Sequence, residues 1–178
     1  VRTEIRDNVA EIILDHPPVN AFSGKIWNEF PDIITSLGKR QDVRVLLIRA
    51  AGRGFCAGVD IKELAANSAA IVDVNKGNYE TFKAIRACEM PVICAPHGFV
   101  IGGGIGMCGA ADVIIASDDC FFSLPEIDRG AMGGAAHLQR ILPLPKVRSA
   151  FFTGGKISAQ EAYRLGGIEK IVPLDQLY

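Results

Sequence analysis

The stretch Gly52-Arg53-Gly54-Phe55-Cys56-Ala57-Gly58-Val59-Asp60-Ile61-Lys62-Glu63, together with the later cluster Gly102-Gly103-Gly104, decides how this chain is read. The first stretch follows a run at 43–48, apolar but for Arg44 and of strand length, as expected of a strand covered on both faces. Its three glycines within seven residues admit backbone conformations closed to other residues and let a ligand approach the main chain, although a glycine-rich surface turn has the same composition. The second cluster stands between an apolar strand and a short helical stretch containing Met107 and Cys108. N–H groups exposed at such a helix start favour a developing negative charge. Gly104-Ile105-Gly106-Met107-Cys108-Gly109 also satisfies the G-x-G-x-x-G pattern of dinucleotide-binding turns. The spacing argues against that reading: a parallel crossover needs about a dozen residues, and only seven separate Gly104 from Asp112, where the next strand is due.

Working outward, residues 9–14 read as a strand that pairs with 1–6 across a hairpin turn at Asp7-Asn8. Pro17-Pro18-Val19-Asn20 breaks the pattern. Ser23 is placed to cap a helix whose stripe is Ile26, Phe30, Ile33, Ile34 and Leu37, with Pro31 either kinking that helix or marking its true start. A second helix is expected over 79–88, stopped by Pro91, then strands at 92–94, 113–116 and 120–124, and a helical stretch over 135–142. Ser158-Ala159-Gln160-Glu161 reads as a capping box for a short helix ended by Gly166-Gly167, before a last strand at 168–172. Repeating strand and helix segments give an α/β fold. No repeat or low-complexity linker divides the chain, so one domain spanning 1–178 is expected.

Composition limits the function. At 178 residues the length fits one domain, and with 49% apolar and 22% charged residues the chain has a core to bury. A net charge of −1, from 19 basic and 20 acidic residues, without a long block of like charge, leaves no footprint for a nucleic-acid backbone. The window 90–111 lacks charge but carries Pro91, Pro96, His97 and six glycines, which speak against a membrane span. Arg2, Glu4, Arg6, Asp7 and Glu11 exclude a signal peptide at the start, and Val1 in place of an initiator Met implies a trimmed chain. The five cysteines are odd in number and hold no C-x-x-C pair, so they read as reduced thiols of a cytoplasmic protein, with no metal site.

Residues 55–63 resemble the oxyanion and CoA-binding segment of the crotonase (enoyl-CoA hydratase/isomerase) superfamily, and Gly102-Gly103-Gly104 resembles its second oxyanion segment. The likeness extends to residues 17–22, to Leu124-Pro125-Glu126, and to 152–173. It implies a crotonase-like spiral of ββα units acting on an acyl-CoA thioester, with no cofactor beyond the coenzyme A of the substrate. It further implies homotrimers or homohexamers, and C-terminal helices that this chain, ending at Tyr178, lacks. By position, the amides of Val59 and Gly103 would hold the thioester oxygen as it becomes an enolate, a task that fixed donors perform well. Arg53, Phe55, Ala57, Asp60 and Ile61 would line the CoA end.

One departure shapes the expected chemistry. Hydratases of this family use two glutamates. One maps to Glu126; the position of the other is Gly106. Asp128 would replace the lost carboxylate if residues 126–128 were extended, because i and i+2 then share a side, and two neighbouring carboxylates push one pKa up. In a helix or tight turn that pairing fails, and Arg129 beside them would oppose the shift. His137 on an Ala-rich helix could reach the pocket, although a lone histidine there is more often packed or at the surface; His16 and His97 read as structural. Cys56 and Cys108 read as small fillers, since no basic partner activates them. The expected activity is enoyl-CoA hydration or isomerisation with Glu126 as acid/base. The run Leu124-Pro125-Glu126-Ile127-Asp128-Arg129-Gly130, with Gly106, is more similar to steroid-CoA ring hydrolases of the superfamily, which cleave a carbon-carbon bond of a cyclic β-keto acyl-CoA. A non-catalytic acyl-CoA-binding subunit is the alternative from another class.

Overall fold

Two ladders of strands rise side by side through the molecule. The structure, a computed structural model, describes residues 1–129 and 133–178, and for Asp128 and Arg129 the backbone alone. Strands β1 (Arg2–Arg6) and β2 (Val9–Leu14) form the expected antiparallel hairpin. Its turn residues Asp7 and Asn8 have φ of 50° and 64°, the left-handed pair that a two-residue hairpin turn requires. After the short strand β3 (Ala21–Phe22) and helix α1 (Gly24–Gly38) comes β4 (Val45–Ala50), parallel to β2.

The second turn continues through β5 (Gly58–Val59), α2 (Ile61–Ala66) and α3 (Ile71–Arg86). The third is β6 (Val92–Ala95), β7 (Phe99–Ile101) and α4 (Gly103–Ala110); the fourth opens with β8 (Val113–Ser117) and β9 (Phe121–Ser123). Then follow α5 (Ala135–Leu138), α6 (Leu144–Thr153), β10 (Ile157–Ser158), α7 (Ala159–Arg164) and β11 (Lys170–Val172). The first ladder has the order β1-β2-β4-β6-β8-β11 and is parallel beyond β1. In the second, β3 pairs with β5, a bridge joins Cys56 to Val100 of β7, and β7 pairs with β9, all parallel; β10 adds antiparallel. Each turn thus gives one strand to each ladder and then a helix. This is the expected spiral of ββα units.

Ser23 caps α1, its hydroxyl accepting from the Ile26 N–H. Pro31 neither starts nor breaks this helix. A proline nitrogen cannot donate to the carbonyl four residues back, here that of Trp27, and the buried Thr81 hydroxyl on α3 stands 3.1 Å from that oxygen. That hydroxyl has one proton and lies nearer Gly77 O, at 2.7 Å, so it covers the freed carbonyl only in part. Beneath α1, Phe22 meets Trp27 and Phe30 edge-on at 5.6 and 5.4 Å between centroids, an arrangement that suits aromatic quadrupoles.

Several boundaries differ from the sequence reading. The helix expected over 79–88 begins at Ile71, with α2 and a 3-10 turn at Ser68–Ala70 ahead of it. Asp60 starts α2, its carboxylate accepting from the Lys62 N–H at 2.9 Å, so the glycine-rich stretch runs into a helix. The helical stretch expected over 135–142 is one turn, α5, and α6 was not foreseen. Among the described residues, no helix is long and apolar enough to cross a membrane.

Helices α1 and α3 meet at Gly77, where an added Cβ would lie 2.8 Å from Trp27 C and Cβ and 2.9 Å from Asn28 N. Alanine gains up to about 1 kcal/mol over glycine inside a helix, but forcing two packed backbones apart costs about 1–3 kcal/mol. We expect Gly77→Ala to lower the urea midpoint of unfolding; a raised midpoint would contradict this packing.

Candidate active site

The loop before β5 is held from below by Asn20. This buried residue, at φ 53°, donates its side-chain amide to Ala51 O and Gly54 O at 3.0 and 3.1 Å, while its Oδ1 accepts from the His16 N–H at 2.7 Å. The sequence reading took Asn20 only for a breaker. Of the three glycines, Gly52 takes a positive φ of 87°, and Gly54 packs on the Phe99 ring, which an added Cβ would meet at 2.6 Å. Only Gly58 faces the cavity described below.

Gly58 lies against the start of α4. A Cβ on it would stand 3.3 Å from Gly103 N and 3.3 Å from Ile101 O. The Asp60 N–H donates to Phe22 O of β3 at 3.0 Å. Successive N–H groups of a strand point to opposite edges, so the Val59 N–H points away from β3, toward the edge where β7 leads into α4. Gly103 is the first residue of α4, and its N–H has no acceptor among the described residues, as befits a helix start. Gly102, at φ 52°, has no room for a side chain either: its Cβ would sit 3.1 Å from Glu126 Oε1.

Glu126 comes from a 3-10 helix, Pro125–Arg129, after β9. Its Oε2 is buried and has no partner among the described residues. Burial raises its pKa above the ordinary value of 4.5, opposed by its own backbone N–H. The 3-10 form removes the premise for Asp128 as second acid. With three residues per turn, i and i+2 do not share a face as they do in a strand, and the Asp128 side chain lies outside the described residues.

These groups border one cavity of about 900 Å³. Ala57, Val59, Ile61, Gly103 and Glu126, all sequence candidates, line it. Arg53, Phe55 and Asp60 do not: Arg53 is exposed, Phe55 is enclosed in the core, and Asp60 caps α2. Nor do Cys56 and Cys108, which are core residues. Burial pushes the Cys56 thiol up to about 12, leaving it an inert acceptor for the Gly58 N–H. His97 is structural, its Nε2–H donating to Gly52 O at 2.9 Å and its Nδ1 accepting from the Tyr178 hydroxyl at 2.7 Å.

The sequence reading missed the wall that α3 supplies: Asn75, Asn78, Tyr79, Phe82, Lys83 and Arg86. Their spacing of three and four was the available signal. Phe82 fills the space of the absent carboxylate, since a Cβ on Gly106 would lie 2.1 Å from Phe82 Cζ. His137 packs on the other part of that ring, centroids 4.6 Å apart, and lines the cavity, its Nδ1 buried without a partner. Its pKa is lowered by burial and then by the Arg140 charge.

Among the described residues, an α/β spiral brings two successive turns of backbone to a cavity with one half-buried carboxylate. Residues 4–178 match the family described as Enoyl-CoA hydratase/isomerase. The chain belongs to that family. It is 44% identical over 173 residues to the (7aS)-7a-methyl-1,5-dioxo-2,3,5,6,7,7a-hexahydro-1H-indene-carboxyl-CoA hydrolase of Rhodococcus jostii (strain RHA1), covering 96% of this chain and 67% of that protein. It is 43% identical to the hydrolase of the same name from Mycobacterium tuberculosis, covering 95% of this chain and 69% of that one, and 36% identical to the carnitinyl-CoA dehydratase of Proteus mirabilis, over 97% and 67%. The chain thus spans about two thirds of these relatives. Among solved structures, an enoyl-CoA hydratase from Bacillus anthracis superposes with a TM-score of 0.92 at 28% identity, over 99% of this chain and 71% of that one.

Two outcomes follow. Gly106→Glu is expected to cost about 2–3 kcal/mol of stability through overpacking, with Phe82→Ala in the same chain relieving part of it. A double-mutant cycle in urea checks this, and additive effects would contradict the contact. Glu126→Gln is expected to stabilise the protein at pH 7. The folded carboxyl titrates above 4.5, so the cost of burying its charge is present at neutral pH and fades as pH falls toward the unfolded value. Equal stability of the two proteins at pH 7 would contradict an unpartnered buried carboxylate.

Proposed function

We propose that this chain carries the active site of a hydrolase that opens the ring of a cyclic β-keto acyl-CoA. The observation that carries this reading is the aromatic ring of Phe82 in the place of a second carboxylate, with Glu126 left as the one acidic side chain among the described residues of the wall. The names of the 44% and 43% identical relatives, both hydrolases of a bicyclic diketone carboxyl-CoA, support it.

The chemistry needs one base and one oxyanion site. Glu126 takes a proton from water as the water oxygen bonds to the β-carbonyl carbon. The resulting tetrahedral alkoxide collapses, the bond between the α- and β-carbons breaks, and its electron pair becomes a thioester enolate whose oxygen the Val59 and Gly103 amides stabilise. Glu126 then returns the proton to the α-carbon. The products are a carboxylic acid and a CoA thioester in one molecule, with water as the only co-substrate. A single proton-carrying carboxylate serves both steps. Removing one oxyanion donor in other enzymes costs roughly 3–4 kcal/mol, the scale of help expected from each amide here. Hydration or dehydration with Glu126 as sole acid/base is the second reading, favoured by the dehydratase relative.

The CoA would follow the loop at 53–61, with Ala57 and Ile61 facing it and Arg53 at its exposed edge. We further propose a cytoplasmic, homotrimeric or homohexameric enzyme. The unpaired thiols and the exposed Phe152, Tyr163 and Leu144 support compartment and assembly respectively.

Incubation with 2-oxocyclohexanecarboxyl-CoA in ¹⁸O-water tests the reaction. A ring-opened acid with one ¹⁸O in its new carboxyl group is expected, with Glu126→Gln losing roughly 10²–10⁴ of the rate and crotonyl-CoA hydrated only slowly. Fast crotonyl-CoA hydration without ring opening would overturn the hydrolase reading, and binding of CoA esters without any product would mark a non-catalytic subunit.

A further inference from the structure

The mechanism above leaves one charge without a partner. When water adds to the β-carbonyl, its oxygen becomes an alkoxide a few bonds from the thioester, beyond the two backbone amides that hold the enolate. A buried alkoxide without a donor is costly, so the cavity wall has to supply a group that donates a hydrogen bond without consuming the proton that Glu126 carries.

Three facts converge on His137. It lines the same cavity as Glu126, Val59 and Gly103. Its ring meets Phe82 edge-on, centroids 4.6 Å apart at 64°, and Phe82 is the ring that occupies the space above Gly106, so the imidazole stands one ring away from where the second carboxylate of a hydratase would project. Its backbone is locked as well, because a Cβ on Gly109 of α4 would come within 2.4 Å of His137 O; α5 is therefore pressed directly onto α4. The tautomer follows from burial. Nδ1 is enclosed and has no partner among the described residues. A buried N–H without an acceptor is rarer and costlier than an under-used acceptor, which places the proton on Nε2, the ring nitrogen that is not enclosed. Among the described residues no carboxylate orients the ring as in a catalytic triad; Glu126 lines the same cavity, but burial and then the Arg140 charge disfavour imidazolium.

Resting on the hydrolase reading, we propose that His137 is a second catalytic residue, a neutral Nε2–H donor to the β-carbonyl oxygen of the substrate that holds the tetrahedral alkoxide, in place of the carboxylate absent at Gly106. A 3-oxoacyl group is recognised at both oxygens: the thioester oxygen by two backbone amides, the β-oxygen by the imidazole. An enoyl-CoA has no β-oxygen, which ties this residue to keto substrates. As a donor, the imidazole is not consumed; the proton stays on nitrogen throughout, and Glu126 alone shuttles the proton taken from water.

The role separates from that of a general base by substitution. His137→Gln keeps an N–H donor and lacks basicity, whereas His137→Leu keeps the packing on Phe82 and lacks the donor. On 2-oxocyclohexanecarboxyl-CoA, His137→Leu is expected to lose roughly 10²–10³ in kcat with KM within about threefold, and His137→Gln to recover at least tenfold of that loss with the pH profile of the parent. Leucine at parent rate, or glutamine no better than leucine, would overturn the proposal. A second measurement is made on the unsubstituted protein: ¹⁵N-labelled histidine read by NMR with acetoacetyl-CoA, which carries the β-oxygen but no ring to open. The His137 Nε2–H proton is expected to move downfield on binding, and not to move with butyryl-CoA; the same shift with both, or with neither, would overturn it. This readout is independent of ring opening, so the hydrolase reading can fail while the hydrogen bond is still observed, and the reverse.

Discussion

The site depends on a contact between backbones. Gly58 on one turn of the spiral and Gly102-Gly103 on the next approach so closely that a methyl group on any of the three would meet Gly103 N, Glu126 Oε1 or Trp27. Side chains cannot intervene there, so main-chain amides are what two neighbouring turns present to the cavity. The rest of the structure maintains that approach. Parallel pairing of β3 with β5 and of Cys56 with Val100 sets the height of each turn, and Asn20 fixes the loop between them. A dipole at the start of α4 adds to the field at the same spot.

The second determinant is a substitution of volume for charge. Where a two-carboxylate site would need an acid, Gly106 leaves a hollow, and Phe82 fills it from α3. The cavity gains an aromatic ring in its wall; burial raises the pKa of Glu126 on the same cavity. A carboxyl raised in this way is a stronger base toward water than an ordinary one, and it holds the proton to higher pH. The same aromatic ring carries His137 on its other part, so packing that removes one polar group also positions another.

Much of the architecture was legible because it is written in local signals. The hairpin at Asp7-Asn8, the Ser23 cap and the capping box at Ser158 each depend on residues a few positions apart. The amides proposed for the site came from a different signal: the glycines at 102–104 directly follow β7, Gly58 closes a glycine-rich loop, and both stretches match a known family pattern. What could not be read depends on distant partners. Pro31 sits inside α1, where the carbonyl it frees is approached by Thr81, fifty residues away. Phe82 and His137 look like ordinary core positions until α3 and α5 are set against α4. Asp128 was misjudged because an i, i+2 argument holds for a strand and the segment is a 3-10 helix.

The central claim, that the Val59 and Gly103 amides together bind the oxygen of a thioester, is tested most directly by isotope-edited infrared spectroscopy of hexanoyl-CoA labelled with ¹³C at its thioester carbonyl. Two converging donors in a water-poor cavity polarise that bond, so the account predicts a carbonyl stretch shifted to lower wavenumber in the bound ligand than in water. A bound ligand whose stretch matches or exceeds the solution frequency would contradict it.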